Sequence, residues 1–146
     1  MKNRSVTISA VFVVTFAALL VALQFAAPYC VRLYINWRDM PQLIGRCILF
    51  SFYLCSVPAG IALYGLWILL RNIRKEQIFI AQNSRMLRMI FWCSVAVSSI
   101  TFLACYHYLP FGLIFTAFLF MALIVRVVQN CFEAGTVLKD ENNLTI

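Results

Sequence analysis

Acidic residues are scarce in this chain. There are five, Asp39, Glu76, Glu133, Asp140 and Glu141, and none lies inside a long hydrophobic run. Proton-coupled transport normally relies on an ionisable group within the bilayer, so that mechanism lacks its usual carrier. Histidine is scarcer still. His107 stands alone between Tyr106 and Tyr108, which excludes haem held by a histidine pair and reads as an interface residue. The cysteines are Cys30, Cys47, Cys55, Cys93, Cys105 and Cys131, and no two make a C-x-x-C pair. Zinc ribbons and fingers need closely spaced ligands, and a quinone-linked disulfide oxidase needs paired cysteines at its outer face. Isolated cysteines in apolar sequence read instead as small hydrophobes. No metal, no cofactor and no catalytic residue is expected.

Charge as a whole is thin. Lys, Arg, Asp and Glu make up 12% of the chain against 64% hydrophobic residues, where soluble proteins carry roughly a quarter charged. The length of 146 residues is one domain's worth. A soluble domain of that size cannot hide so much apolar surface, whereas a bilayer can cover it. A formal net charge of +7 raises the question of nucleic acid. The basic residues stand at the ends of hydrophobic runs, however, and form no interleaved basic and aromatic surface of the kind that tracks a nucleic-acid backbone. Direct nucleic-acid binding is not expected, and the lipid bilayer is the first partner.

What is present is a set of apolar runs. They predict an all-α fold, an integral membrane bundle of four transmembrane helices in one domain. The spans fall near residues 6–28, 47–70, 87–108 and 110–130, with a helix end and polar tail over 129–146. The first run carries no charge and follows Lys2 and Arg4. Signal-peptide cores are about 7–15 residues, whereas this run is long enough to cross about 30 Å of hydrocarbon, so a retained span is expected. Residues 31–46 read as a connection whose Tyr34 and Trp37 suit a membrane boundary. Pro58 frees the carbonyl four residues earlier, that of Leu54, and that bend should face protein. A short connection separates the third run from the fourth, which opens at Pro110. Small residues four apart let helices approach closely in lipid. Such ridges occur at Ala18, Ala22 and Ala26, at Ser56 and Gly60, at Ser94 and Ser98, and at Gly112 and Thr116, and they predict a compact bundle.

Orientation follows from Lys and Arg. With four spans, both termini share a side with the basic hinge at residues 71–88. That side holds Lys2, Arg4, Arg71, Arg74, Lys75, Arg85, Arg88, Arg126 and Lys139, against Arg32, Arg38 and Arg46 on the other. Nine basic residues against three predict a protein of the cell membrane with both termini and the hinge in the cytoplasm. A drug exporter of the small four-span type would carry a glutamate in its first helix, and this first run has none.

The remaining candidates are polar residues at the hinge end. Asn83, Met86, Leu87 and Ile90 fall on one helical stripe. An asparagine there is expected to act as a cap rather than as a buried hydrogen-bonding device. Arg126, Asn130 and Glu133 are spaced four and three apart and share a face. The third and fourth helices should be antiparallel neighbours because their connection is short. Asn83 and Arg88 are then expected to meet Arg126, Glu133 and the tail at 141–146.

Two segments resemble a known family. IFIAQNSRMLRMIFW at 78–92 and RVVQNCFEAGTVLKDENNLTI at 126–146 are similar to the signatures of the bacterial DUF2975 family of small four-span membrane proteins. The resemblance aligns Phe79, Asn83, Leu87 and Arg88 with a central F-x-x-x-N-x-x-x-L-R pattern. It aligns Arg126, Phe132, Leu138, Glu141, Asn142, Leu144, Thr145 and Ile146 with a C-terminal one. Asn143 stands where that family usually has Asp, and Ile80 where Thr is common. The resemblance implies a gene often placed beside a small helix-turn-helix regulator, and hence a cytoplasmic partner of that class. The contact surface expected on this basis is Phe79, Asn83, Arg88, Arg126, Glu133, Glu141 and Asn142. The function expected is an interaction or regulatory membrane protein and not an enzyme, homo-oligomers being compatible with it. The alternative is an oligomeric small transporter or permeability element.

Overall fold

The structure, a computed structural model, describes residues 2–75 and 81–144, the side chains of 2–6, 140, 143 and 144 excepted. It is all helical. The helices are α1 (Lys2–Arg38), α2 (Gln42–Arg74), α3 (Ala81–Cys105) and α4 (Phe111–Leu144). Each is long and apolar enough to cross a membrane, as the four apolar runs predict.

The helices outrun the predicted spans. α1 has 37 residues, α2 33 and α4 34, so at 1.5 Å per residue each is about 50–55 Å long, well beyond about 30 Å of hydrocarbon. The expected connection at 31–46 is therefore almost entirely helix. Only Asp39, Met40 and Pro41 lie between α1 and α2. The turn is made by Asp39 in the left-handed region, at φ 49°, a conformation Asp tolerates better than most residues. Polar composition there marks the exit from lipid, not the end of the helix. The tail gives the same correction, since α4 continues through Leu144.

Pro28 lies inside α1 and removes the amide that would bond the carbonyl of Gln24. The Tyr53 hydroxyl of α2 donates to that carbonyl at 3.1 Å. A backbone group left without a partner in lipid is costly, so α2 supplies the missing donor and α1 runs on.

Close packing follows chain order: α1 on α2, α2 on α3, α3 on α4. α3 and α4 share the most extensive contact, the antiparallel pairing that their short connection predicts. α3 is the central helix. Its buried residues Asn83, Leu87, Ile90, Val97, Ser98, Thr101 and Ala104 fall mostly three, four or seven positions apart, the spacing of one helix face packed along its length. α1 and α4 instead face each other across an apolar cavity of about 390 Å³, lined by Phe16 and Leu20 of α1 and Phe118 of α4 among others.

The expected compact bundle needs correction at the small-residue ridges. Ala18 and Ala22 are exposed, as are Gly60 and Thr116. Ser98 sits in an interface, where its Oγ reaches the Phe115 carbonyl at 3.4 Å, and a Cβ on Gly112 would stand 3.2 Å from Cys105 Sγ of α3. Other tight approaches lie off the ridges. A Cβ on Gly65 would stand 2.9 Å from Met89 Cε and 3.2 Å from Ile90 Cγ1, and one on Gly45 would collide with Ile35. Spacing of small residues identifies a face that could be close, but not which face has a neighbour.

Candidate functional site

Three helix ends converge at the hinge. α2 ends at Arg74, α3 starts at Ala81, and α4 passes alongside α3 on its way to Leu144. The polar side chains that meet there form two layers.

The inner layer is buried amide. Asn83 and Gln129 are both 0% exposed, and Asn72 is 8% exposed. Asn72 Nδ2 donates to Asn83 Oδ1 at 2.8 Å, tying α2 to α3. Asn83 is the third residue of α3 and its carbonyl oxygen faces another helix. It acts here as an interhelical hydrogen-bonding device, where a cap was expected. Capping statistics describe a helix start in water, whereas this start is packed against α2, and a buried amide must find partners across the interface.

The outer layer centres on one carboxylate. Glu133 Oε1 accepts from Ser84 Oγ at 2.8 Å, Gln129 Nε2 at 2.8 Å and Arg88 Nη2 at 3.4 Å. Gln129 Oε1 accepts from Arg126 Nη1 at 3.2 Å, and the Arg126 guanidinium lies 5.6 Å from the centroid of the Phe91 ring. α3 and α4 are thus joined by a chain of side chains running Phe91, Arg126, Gln129, Glu133 and then Ser84 with Arg88. Every buried side-chain nitrogen and oxygen among the described residues has a partner.

The stretch of α4 from 111 to 128, uncharged but for Arg126 near its end, rises about 27 Å, close to the hydrocarbon thickness. Glu133 lies beyond it. Its carboxyl is held below the usual range, first by the Gln129 hydrogen bond and then by that from Ser84, with Arg88 adding to both. It is ionised near neutral pH, an acceptor that fixes donors rather than a source of protons. Among the described residues no three His, Cys, Asp or Glu side chains gather as metal ligands. The cysteines are all free thiols.

Of the expected contact residues, the structure brings Asn83, Arg88, Arg126 and Glu133 to this end and places Arg88 on Glu133. Glu141 and Asn142 are exposed on α4, eight and nine residues past Glu133, a further rise of about 12 Å. The backbone stays helical through Leu144, and Thr145 and Ile146 lie outside the described residues. Phe79 lies outside the described residues. Asn130, expected on the face of Arg126 and Glu133, is exposed, and Gln129 occupies the interface instead. Gln129, Asn72 and Ser84 were not singled out from sequence. Gln129 had a usable signal, three residues after Arg126 and four before Glu133, the spacing that closes a side-chain ladder on one face.

No curated protein and no solved structure matches this chain. The family model described as "Protein of unknown function (DUF2975)" matches residues 4–146, nearly the whole chain and both segments that carry the resemblance. With four membrane-length helices beneath that match, the chain belongs to the DUF2975 family of multi-pass membrane proteins.

Proposed function

We propose that this protein is an interaction or regulatory element of the cell membrane and not an enzyme, with its hinge end in the cytoplasm as a docking surface for a soluble protein. The observation that carries this reading is the layering of the hinge end. A buried amide pair ties α2 to α3, Ser84 on Glu133 ties α3 to α4, and beside them Arg88 and Glu133 keep 60% and 43% of their side-chain surface exposed. An exposed ion pair contributes little to stability, because water screens it and ordering two long side chains costs entropy. What such a pair supplies is a defined charge pattern on a rigid base, which sets partner choice and encounter rate. The partner class that fits is a small helix-turn-helix regulator, bound through its protein surface.

The test uses Arg88→Ala, Glu133→Ala and a chain lacking residues 142–146, with Arg46→Ala at the opposite end as control. Binding of a purified regulator from the neighbouring gene to the reconstituted protein is measured by surface plasmon resonance. The three hinge-end variants are expected to weaken binding by roughly tenfold, about 1.4 kcal/mol, and the control to leave it unchanged. Equal binding by all four would reject the surface. The open apolar cavity lined by residues of all four helices supports a second reading, a permeability element. Solute flux into liposomes that depends on cavity residues such as Phe118 would favour it.

A further inference from the structure

We propose that the groove between α1 and α2 at the hinge end is a binding site for one anionic phospholipid. Two adjoining depressions make it. The first, about 330 Å³, is walled by Ala10, Val11 and Val14 of α1 and by Trp67 and Leu70 of α2, with Arg71 and Arg74 at its rim. The second, about 390 Å³, continues it toward the bilayer centre along Val21, Gly60 and Leu63 and shares Val14 and Trp67 with the first.

Each part matches a part of the lipid. Arg71 and Arg74 are one turn apart on α2, on the face turned toward α1, while Asn72 between them is bonded to α3. Two guanidiniums at the mouth of an apolar groove suit a phosphate, which they can grip with paired hydrogen bonds. Among the described residues no acidic side chain lines either depression. Trp67 stands near the same level, where indole rings favour the headgroup boundary. Below it the wall is apolar. The Thr15 hydroxyl is spent on the Val11 carbonyl at 2.9 Å. Gly60 keeps the floor open, since a Cβ there would meet nothing within 4 Å. From Arg71 to Gly60 the helix rises about 17 Å, close to half of the hydrocarbon thickness, the depth one acyl chain spans. Basic pockets between transmembrane helices are recurrent anionic-lipid sites, and here the charges, the boundary tryptophan and the chain-length groove coincide. The site is independent of the docking reading and of which face is cytoplasmic.

Native mass spectrometry of the purified full-length protein tests it, with phosphatidylglycerol, phosphatidylcholine of the same acyl chains, and free glycerol phosphate as separate probes. The wild type is expected to retain one phosphatidylglycerol in preference to phosphatidylcholine and to retain no glycerol phosphate. Arg71→Gln with Arg74→Gln should weaken phosphatidylglycerol retention by roughly twenty-five-fold, two charges at about fivefold each, and leave phosphatidylcholine unchanged. Gly60→Leu, which fills the floor, should weaken retention of both lipids. Arg38→Gln with Arg46→Gln, the same charge loss at the other end, should change nothing. Equal retention of the two lipids, retention of glycerol phosphate, or an equal loss from the opposite-end pair would overturn the proposal.

Discussion

At the residue scale, Glu133 carries the sharpest expectation. Its folded-state pKa is depressed by donors from α3 and from its own helix. A depressed carboxylate contributes stability that is present above its unfolded pKa, about 4.3, and is lost as pH falls through the lower folded value. Glu133→Gln keeps an acceptor oxygen and removes the proton linkage. In detergent, the melting temperature of the wild type should therefore exceed that of Glu133→Gln at pH 7, and the gap should narrow progressively as pH falls below the unfolded value. A gap that does not narrow at all on acidification would show that packing, not the charge, sets the difference. The rest of the cluster shows what a sequence reveals at this scale. Arg88, Arg126 and Glu133 were legible because charges at helical spacing near a span end are few. Asn72 and Gln129 were not, because an amide looks the same on a solvated face and in an interface. Only the neighbour decides, and Asn130 beside Gln129 demonstrates it.

At the element scale, α1 and α2 form one unit through a backbone repair. Pro28 leaves the Gln24 carbonyl without its helical donor, and Tyr53 provides one. Tyr53→Phe alone should cost about 1–3 kcal/mol, the penalty of an unsatisfied group away from water. Pro28→Ala restores the helical amide, so adding Tyr53→Phe to it should cost much less. Unfolding in a denaturing detergent series, run as a double-mutant cycle, reads the coupling. Additive effects would mean that the hydroxyl does not serve the carbonyl that proline frees. The elements were the most legible level of this chain, since four apolar runs of span length leave little choice of fold. Their ends were not legible. Residues 31–46 read as a loop because they are polar and aromatic, yet helix hydrogen bonding needs no lipid and continues to Arg38. The partners of each face were equally hidden. Gly65 and Gly45 are contact points while Gly60 is open, a difference set by neighbouring helices far away in sequence.

At the scale of the whole molecule, the row of helices has two unlike ends. One carries the α1–α2 turn at Asp39 and the short connection before Phe111. The other carries the amide layer, the Glu133 cluster and the arginine-rimmed groove. The asymmetry of basic residues, nine against three, predicts a cytoplasmic second end by the positive-inside rule, and the docking reading depends on that prediction. The direct measurement is maleimide labelling in intact cells, in a background with all six native cysteines replaced by alanine or serine. One cysteine is introduced at exposed Asn36 and, in a separate chain, at exposed Arg85. A membrane-impermeant maleimide should label Asn36→Cys from outside and Arg85→Cys only after permeabilisation. Labelling of Arg85→Cys in intact cells, with Asn36→Cys protected, would place the cluster outside the cell and contradict a cytoplasmic docking surface.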